Sequence, residues 1–478
     1  MKSDFGIIGL AVMGENFALN IESRGYRVSV YNRTTAKVEN FIKGVAAGRN
    51  FFGAMSIEDF CDSLAAPRKI MIMVKAGEAV DSTIETLLPY LSKGDIIIDG
   101  GNSNYVETER RVKALDIKGL LFVGSGVSGG ELGALRGPSL MPGGNKEAWP
   151  AIKPIFEAAT AKVGKEQEPC CTWVGSGGAG HFAKMVHNGI EYGDMQVICE
   201  GYDLMHKLLL LPINEIADLF SSWNEGRMKS YLIEITADIL RYQENGRPLI
   251  ELILDTAGQK GTGKWTAMNA LDEGIPLNFI AEAVFARCIS AQRGLREELS
   301  KSLCTAQPVK SEITPQEVEA AIYASKLISY AQGFELITTK SGLKNWRVDP
   351  AALARIWRGG CIIRSVFLDE IAQAYSTGEL QTLMLSEFYL GTLPEAIKSL
   401  RKVVAAAALA AVPVPSMSAA LSYYDSVTSK NLPANLLQAQ RDYFGAHTYE
   451  RADKPRGEFF HTNWTGEGGD TVSTEYNR

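Results

Sequence analysis

The chain is poor in the residues that carry metal and thiol chemistry. Its 478 residues include five histidines, far apart, and seven cysteines: Cys61, Cys170, Cys171, Cys199, Cys288, Cys304 and Cys361. The cysteines are odd in number and scattered, with no CxxC. That argues against a disulfide framework and suits a reducing compartment. No HExxH and no Cys/His cluster is present, so no metal is expected. Basic charge is not in excess either. With a net charge of -6 there is no field for nucleic acid, and any bound phosphate must rely on local cations and backbone amides. Long apolar runs are missing as well. The longest, Val403 to Val412, is alanine-rich and stops at Pro413; it is too short to span a bilayer and is expected as a buried helix. The first strand is expected at about Phe5, which leaves no room for a signal or transit peptide. The expectation is a soluble, cytoplasmic protein.

What remains is ordinary globular composition, 46% hydrophobic and 22% charged, at a length that suggests two or three domains. The N-terminal part alternates apolar strands with amphipathic helices. Strands are expected at Phe5 to Leu10, Arg27 to Tyr31, Lys69 to Val74, Asp95 to Asp99, about Leu120 to Gly124 and Cys171 to Val174. This alternation predicts a Rossmann-like, doubly wound α/β sheet over residues 1–178. Between the first strand and first helix stands Gly9-Leu10-Ala11-Val12-Met13-Gly14, a GxAxxG variant of the dinucleotide fingerprint. There the free amides and positive end of a helix can hold a pyrophosphate. The second strand ends in Asn32-Arg33-Thr34, where an NAD enzyme normally carries a carboxylate. An Arg there pairs with a 2'-phosphate, so the cofactor is read as NADP. The loops Val74-Lys75-Ala76-Gly77, Asp99 to Ser103 and Gly124 to Gly130 should line the ligand crevice.

From about residue 179 the period is helical only. Helices are expected at 179–208, 213–222, 226–242, 277–301, 315–338, 349–358, 362–375, 379–387 and 391–412, making residues 179–440 a large all-α substrate and dimerisation domain. An internal duplication, about 179–310 and 311–440, is suggested by two matches. Gly201-Tyr202-Asp203-Leu204-Met205 resembles Gly333-Phe334-Glu335-Leu336-Ile337, and Trp223-Asn224-Glu225-Gly226 resembles Trp357-Arg358-Gly359-Gly360. At the start of the first helix Lys184, Asn188, Glu191 and Tyr192 fall at i, i+4, i+7 and i+8, on one face. A cation, an amide, a carboxylate and a phenol in one arc read as an active-site wall. The loop Gly258-Gln259-Lys260-Gly261-Thr262-Gly263-Lys264-Trp265 suits an anionic group. Arg287, set among Val, Phe, Ala and Ile, asks for a buried anionic partner or a substrate. Residues 441–478 lose helical period but keep aromatics, and are read as an extended tail that docks on its own subunit or a partner.

Taken together, GLAVMG, NRT, VKAG, DGGNS, GVSGGE, KMVHNGIEY, GQKGTGKW and QRDYFGAHTYE resemble the 6-phosphogluconate dehydrogenase family, the decarboxylating, NADP-dependent enzymes of the pentose phosphate pathway. The resemblance implies that Asn102, Ser128, Gly129, Gly130, His187, Asn188 and Glu191 meet the substrate's hydroxyls and carboxylate. It implies that Tyr192, Lys260, Thr262 and Arg287 hold its phosphate, and that Val74, Lys75 and Asn102 border the nicotinamide. It further implies a homodimer in which Arg441 and His447 of a second subunit close the pocket. The chemistry then asks for a base, read as Lys184, and an acid for the enediol, read as Glu191, with Asn188 beside them. The alternative is a related beta-hydroxyacid dehydrogenase acting on another (phospho)sugar acid. No nucleic acid or membrane partner is expected.

Overall fold

The computed structural model describes residues 1–303, 312–378 and 380–468. It divides into two compact units, Met1–Leu421 and a smaller one from Ser422 onward. In the first unit the apolar runs form β1 (Phe5–Ile8), β2 (Val28–Tyr31), β3 (Phe51–Gly53), β4 (Lys69–Ile72), β5 (Ile96–Asp99) and β6 (Leu121–Ser128). They lie in the spatial order 3-2-1-4-5-6, every neighbouring pair parallel. Because side chains alternate along a strand, Ile96 and Ile98 enter one core while Ile97 enters the other. Helix Val12–Ser23 covers the first core with Phe17 and Ile21; Val80 and Ile84 of helix Glu78–Leu87 cover the second. The result is a Rossmann-like sheet wound on both faces.

The sequence reading needs correction at its edge. Gly124 to Ser128 is not a loop: β6 continues through it, paired antiparallel with β7 (Ser139–Gly144). The strand expected at Cys171 to Val174 lies later, at Gly175–Ser176, parallel to β7. Glycine and serine carry little strand propensity, and here neighbouring strands impose the extended form.

Two loops at the carboxyl ends of β4 and β5 are tied together by a buried cation. Arg111 (2% exposed) donates to both Asp81 carboxylate oxygens at 2.9 and 2.8 Å, to the Gly77 carbonyl at 3.1 Å and to Asp99 at 3.5 Å. Asp99 in turn accepts from Ser103 Oγ and the Gly101 amide. The hydrogen bond from Arg111, aided by Arg110, pulls the Asp81 carboxyl down to about 2.

The helical part begins with Ala179–Asp203, extended by a π turn at Leu204–Leu208. Ile213–Trp223, Tyr231–Arg241, Pro315–Lys344, Pro350–Ile356, Leu368–Ser376 and Glu387–Leu409 follow. The expected helix 277–301 is two, Asn278–Ser290 and Arg293–Leu303. The expected 379–387 is instead a short turn, Leu383–Leu385, before Ser386 caps the next helix; Glu379 lies outside the described residues, as does Cys304. Thr262–Asp272 and Pro415–Thr428 were not expected as helices. Where Ala179–Asp203 crosses Pro315–Lys344, Gly201 faces Ile322 and Gly333 faces Ile190. No described helix is long and apolar enough to cross a membrane.

In the second unit helical order persists past Arg441: a helix runs Ala434–Gly445, followed by a hairpin of Tyr449–Glu450 with Phe459–Phe460. Its centre is Asp442, buried, which accepts from the Thr448 and Thr462 amides, His461 and Trp464. Burial works to raise this carboxyl, and those donors outweigh it, so its pKa falls below the usual range.

Replacing Arg111 by Met should destabilise the first unit by about 3–5 kcal/mol, the usual result of stranding one half of a buried ion pair. Urea unfolding with Asp81→Asn and the double variant measures it; the double should lose clearly less than the sum of the two singles.

Candidate active site

The site is assembled where helix Ala179–Asp203 lies against β6. Gly126 permits the approach, since a Cβ there would stand 2.4 Å from Lys184 Cβ. Lys184 is thereby sealed at 6% exposure. Burial pulls its ammonium below the ordinary lysine range, with only Glu191 and the Cys361 thiol working against that. One turn on, His187 is fully buried. Its Nε2 meets Ser128 Oγ at 3.1 Å, and its Nδ1 stands 3.4 Å from Lys184 Nζ and 3.3 Å from Asn188 Oδ1. Burial, and then the Lys184 charge, hold this imidazole well below its usual pKa, so it is neutral.

Glu191 reaches the same imidazole atom, Oε2 lying 3.9 Å from His187 Nδ1. The lysine and the glutamate therefore converge on one point. Burial raises the Glu191 carboxyl, while Lys184, Arg287 and Lys260 lower it and Asp194 adds to the rise; the net direction is up. An amine pushed toward neutrality beside a carboxyl pushed toward protonation is an acid–base pair whose members can exchange roles.

Beyond Glu191 the wall turns cationic. The Arg287 guanidinium lies 3.5 Å over the Tyr192 ring and donates to the Gly258 carbonyl at 3.3 Å. Arg287, for which a buried anionic partner or a substrate is expected, is hydrogen-bonded to no carboxylate among the described residues. It is half-exposed, because its helix turns Phe285 and Ile289 to the surface. Lys260 is exposed, Thr262 is buried at the first position of its helix, and Gly263 lies against the Tyr192 ring. Asn102 and Gly130 are exposed and Gly129 is partly covered, its αL turn (φ 117°) set against the Gly360 carbonyl. Arg441 and His447 belong to the second unit.

A crevice of about 750 Å³ runs along the sheet edge, lined among others by Gly9, Asn32, Arg33, Thr34, Val74 and Lys75. Asn32 Oδ1 accepts from the Leu10 amide at 3.1 Å, locking the tip of β2 to the glycine turn. A Cβ on Gly14 would meet the Gly9 carbonyl at 1.9 Å, so the turn admits no side chain. Ala11 and Val12 are exposed at the start of their helix, Met13 is half-buried, and Ala76 is half-buried in its loop.

Sequence reasoning missed three contributors. Lys37 lines the crevice, one turn past Arg33, a spacing that was visible. Trp357 packs edge-on against His187 at 5.5 Å; it was noticed as a repeat marker only. Cys361 lies close enough to Lys184 to feel its charge, and burial pushes its thiol up. Nothing in the sequence placed it there.

Residues 4–175 match the family described as the NAD binding domain of 6-phosphogluconate dehydrogenase, and residues 180–464 match the 6-phosphogluconate dehydrogenase C-terminal domain. A 6-phosphogluconate dehydrogenase, decarboxylating, from Haemophilus influenzae is 56% identical, the alignment covering 100% of this chain and 99% of that one. One from Saccharomyces cerevisiae is 52% identical over 100% of both. The solved structure of the Plasmodium falciparum 6-phosphogluconate dehydrogenase is 44% identical and superposes with a TM-score of 0.92, covering 96% of this chain and 100% of that one. That protein was studied apo, with its cofactor NADP+ and with its substrate 6-phosphogluconate. With both halves matched and relatives above half identity over their full length, the chain belongs to the 6-phosphogluconate dehydrogenase family.

Proposed function

We propose that this chain converts 6-phospho-D-gluconate to D-ribulose 5-phosphate and CO2 with NADP+ as oxidant, and that Lys184 and Glu191 move the protons. The observation that carries the residue assignment is their convergence on His187 Nδ1, at 3.4 and 3.9 Å, with opposite displacements of proton affinity.

The crevice fits the cofactor. Glycine at 9 and 14 leaves room for a pyrophosphate against helix amides, and Arg33 and Lys37 face the adenosine end with no carboxylate at the tip of β2. NADP+, when bound, accepts the hydride from carbon 3. Lys184, whose charged form burial disfavours, takes the proton of the 3-hydroxyl when it is in its neutral form. Its ammonium then donates to the new ketone oxygen. This favours loss of the carboxylate beta to that ketone as CO2, because the developing enolate charge is met by a fixed cation. Glu191, in its protonated form, delivers its proton to carbon 1 of the enediol while Lys184, neutral again, takes back the proton from the neighbouring hydroxyl oxygen, giving the ketose. Ser128, His187 and Asn188 form the neutral polar floor that orients the hydroxyls, with Asn102, Gly129 and Gly130 at its edge. Tyr192, Lys260, Thr262 and Arg287 receive the phosphate. Val74, Lys75 and Ala76 border the nicotinamide half.

Arg441 and His447, in this reading, close the pocket of a second copy of the chain, so that the working form is a homodimer. The exposed Phe285, Ile289, Leu271 and Ile253 support it, since apolar surface of this kind is normally covered. A cytoplasmic enzyme is the reading that this activity and the free cysteines Cys61, Cys170, Cys171, Cys199, Cys288 and Cys361 support.

Lys184→Met and Glu191→Gln should each bind NADP+ normally but lose at least about 10²-fold in kcat; a variant within tenfold of the parent removes that residue from the proton transfers. The pH dependence has a defined sign. The working site holds one proton on the Lys184–Glu191 pair: with two the amine cannot accept, and with none no acid remains. The rate of the parent should therefore rise and then fall with pH, and each of the two variants should lose one limb. Mixing Lys184→Met with Arg441→Met chains should restore activity that neither has alone, because one hybrid site then holds both native residues. A tail that closes its own site gives no such recovery.

A further inference from the structure

Asp194 stands one turn beyond Glu191 on helix Ala179–Asp203, and Lys326 opposes it from helix Pro315–Lys344. Both side chains are shut away from water, 1% and 0% exposed. Lys326 Nζ donates to Asp194 Oδ2 at 2.5 Å. The Tyr330 hydroxyl lies 3.4 Å from the same oxygen and 2.7 Å from the Ile363 carbonyl. Asp194 Oδ1 has no hydrogen-bond partner. Lys326 follows Asp194 by 132 residues, the offset that also relates Ile190 to Ile322 and Gly201 to Gly333. If the two helices are copies of one unit, the opposite charges occupy a single position of that unit. They meet where the copies cross.

A buried ion pair in a helix seam is a weak source of stability, since apolar residues of like volume usually serve as well or better. Its value here lies in its place. We propose that the Asp194–Lys326 pair is a positioning device for the site acid: it fixes the helix crossing one turn from Glu191, and the Asp194 carboxylate supplies the negative field at the Glu191 carboxyl. The groups facing Glu191 are Lys184 and neutral His187 on its own helix, Arg287 from Asn278–Ser290, Lys260 from the preceding loop and the Cys361 thiol. The three cations all favour the ionised carboxylate. Burial is the larger influence that opposes them and Asp194 is the carboxylate that adds to it; burial raises Asp194 itself, while Lys326 and Tyr330 favour its ionised form. Without Asp194, only the burial of Glu191 opposes the cations, and the carboxyl gives up its proton at lower pH.

The inference rests on Glu191 as the site acid only for its effect on rate, and the test separates the two. In Asp194→Asn, the carboxylic C=O band of Glu191, identified in infrared pH-difference spectra by its loss in Glu191→Gln, should titrate about half a pH unit or more lower than in the parent. The value of kcat should fall severalfold while the Kd for NADP+ stays unchanged. If Asn at 194 alone prevents folding, Asp194→Asn with Lys326→Met leaves no stranded charge and should show a downward titration of the same sign but smaller, because the Lys326 cation goes with the carboxylate. A variant that loses thermal stability but leaves the Glu191 band where it was overturns the proposal and makes the pair purely structural. A band that moves with kcat unaltered upholds the field from Asp194 and overturns the role of Glu191 as the acid.

Discussion

The contact between a helix and the strand beneath it governs the chemistry of this chain. Lys184 is deprived of water because β6 carries glycine at 126, so that nothing intervenes between strand backbone and lysine stem. Burying an ammonium without a direct carboxylate partner is costly, and the group meets that cost by shedding its proton more readily. The same closeness sets His187 against Ser128 and keeps it neutral. A methyl group at this one position of a strand would undo all of this.

The sheet and the helices have different tasks. The sheet contributes loops at its carboxyl edge, and those loops are short enough to need outside support, which the Arg111, Asp81 and Asp99 cluster provides. The helices contribute side chains held at fixed spacing, so that residues seven apart approach a common point. Precision therefore resides in helix Ala179–Asp203, and adaptability in the glycine-rich turns that face it.

Much of this was legible from residues alone, for physical reasons. Continuous apolar runs such as Lys69–Ile72 and Ile96–Asp99 announce strands buried on both faces, and the 3.6-residue period places Lys184, Asn188 and Glu191 on one side. What escaped depends on tertiary pairing. Gly124 to Ser128 has turn composition, yet it is held as strand by a partner, β7, that a local reading cannot see. Thr262–Asp272 carries Gly263 and Lys264 in its first turn, directly after a Gly/Lys-rich loop, and Gly263 packs on Tyr192 there. The exposure of Arg287 also escaped, because its helix turns the apolar Phe285 and Ile289 outward. Cys361 and Trp357 reach the site through a chain reversal more than 150 residues distant in sequence, which no spacing rule foretells.

The Arg287 guanidinium has one further bearing. It rests on an aromatic face and a backbone carbonyl, with no carboxylate bonded to it among the described residues, and Lys260 nearby is exposed. An arriving dianion therefore finds positive charge already waiting, and no internal ion pair has to be broken to make room. Attraction of this kind is weakened by dissolved electrolyte. On the proposed phosphate role, retention of the phosphorylated ligand is tied to ionic strength, and small multivalent anions compete for the same corner.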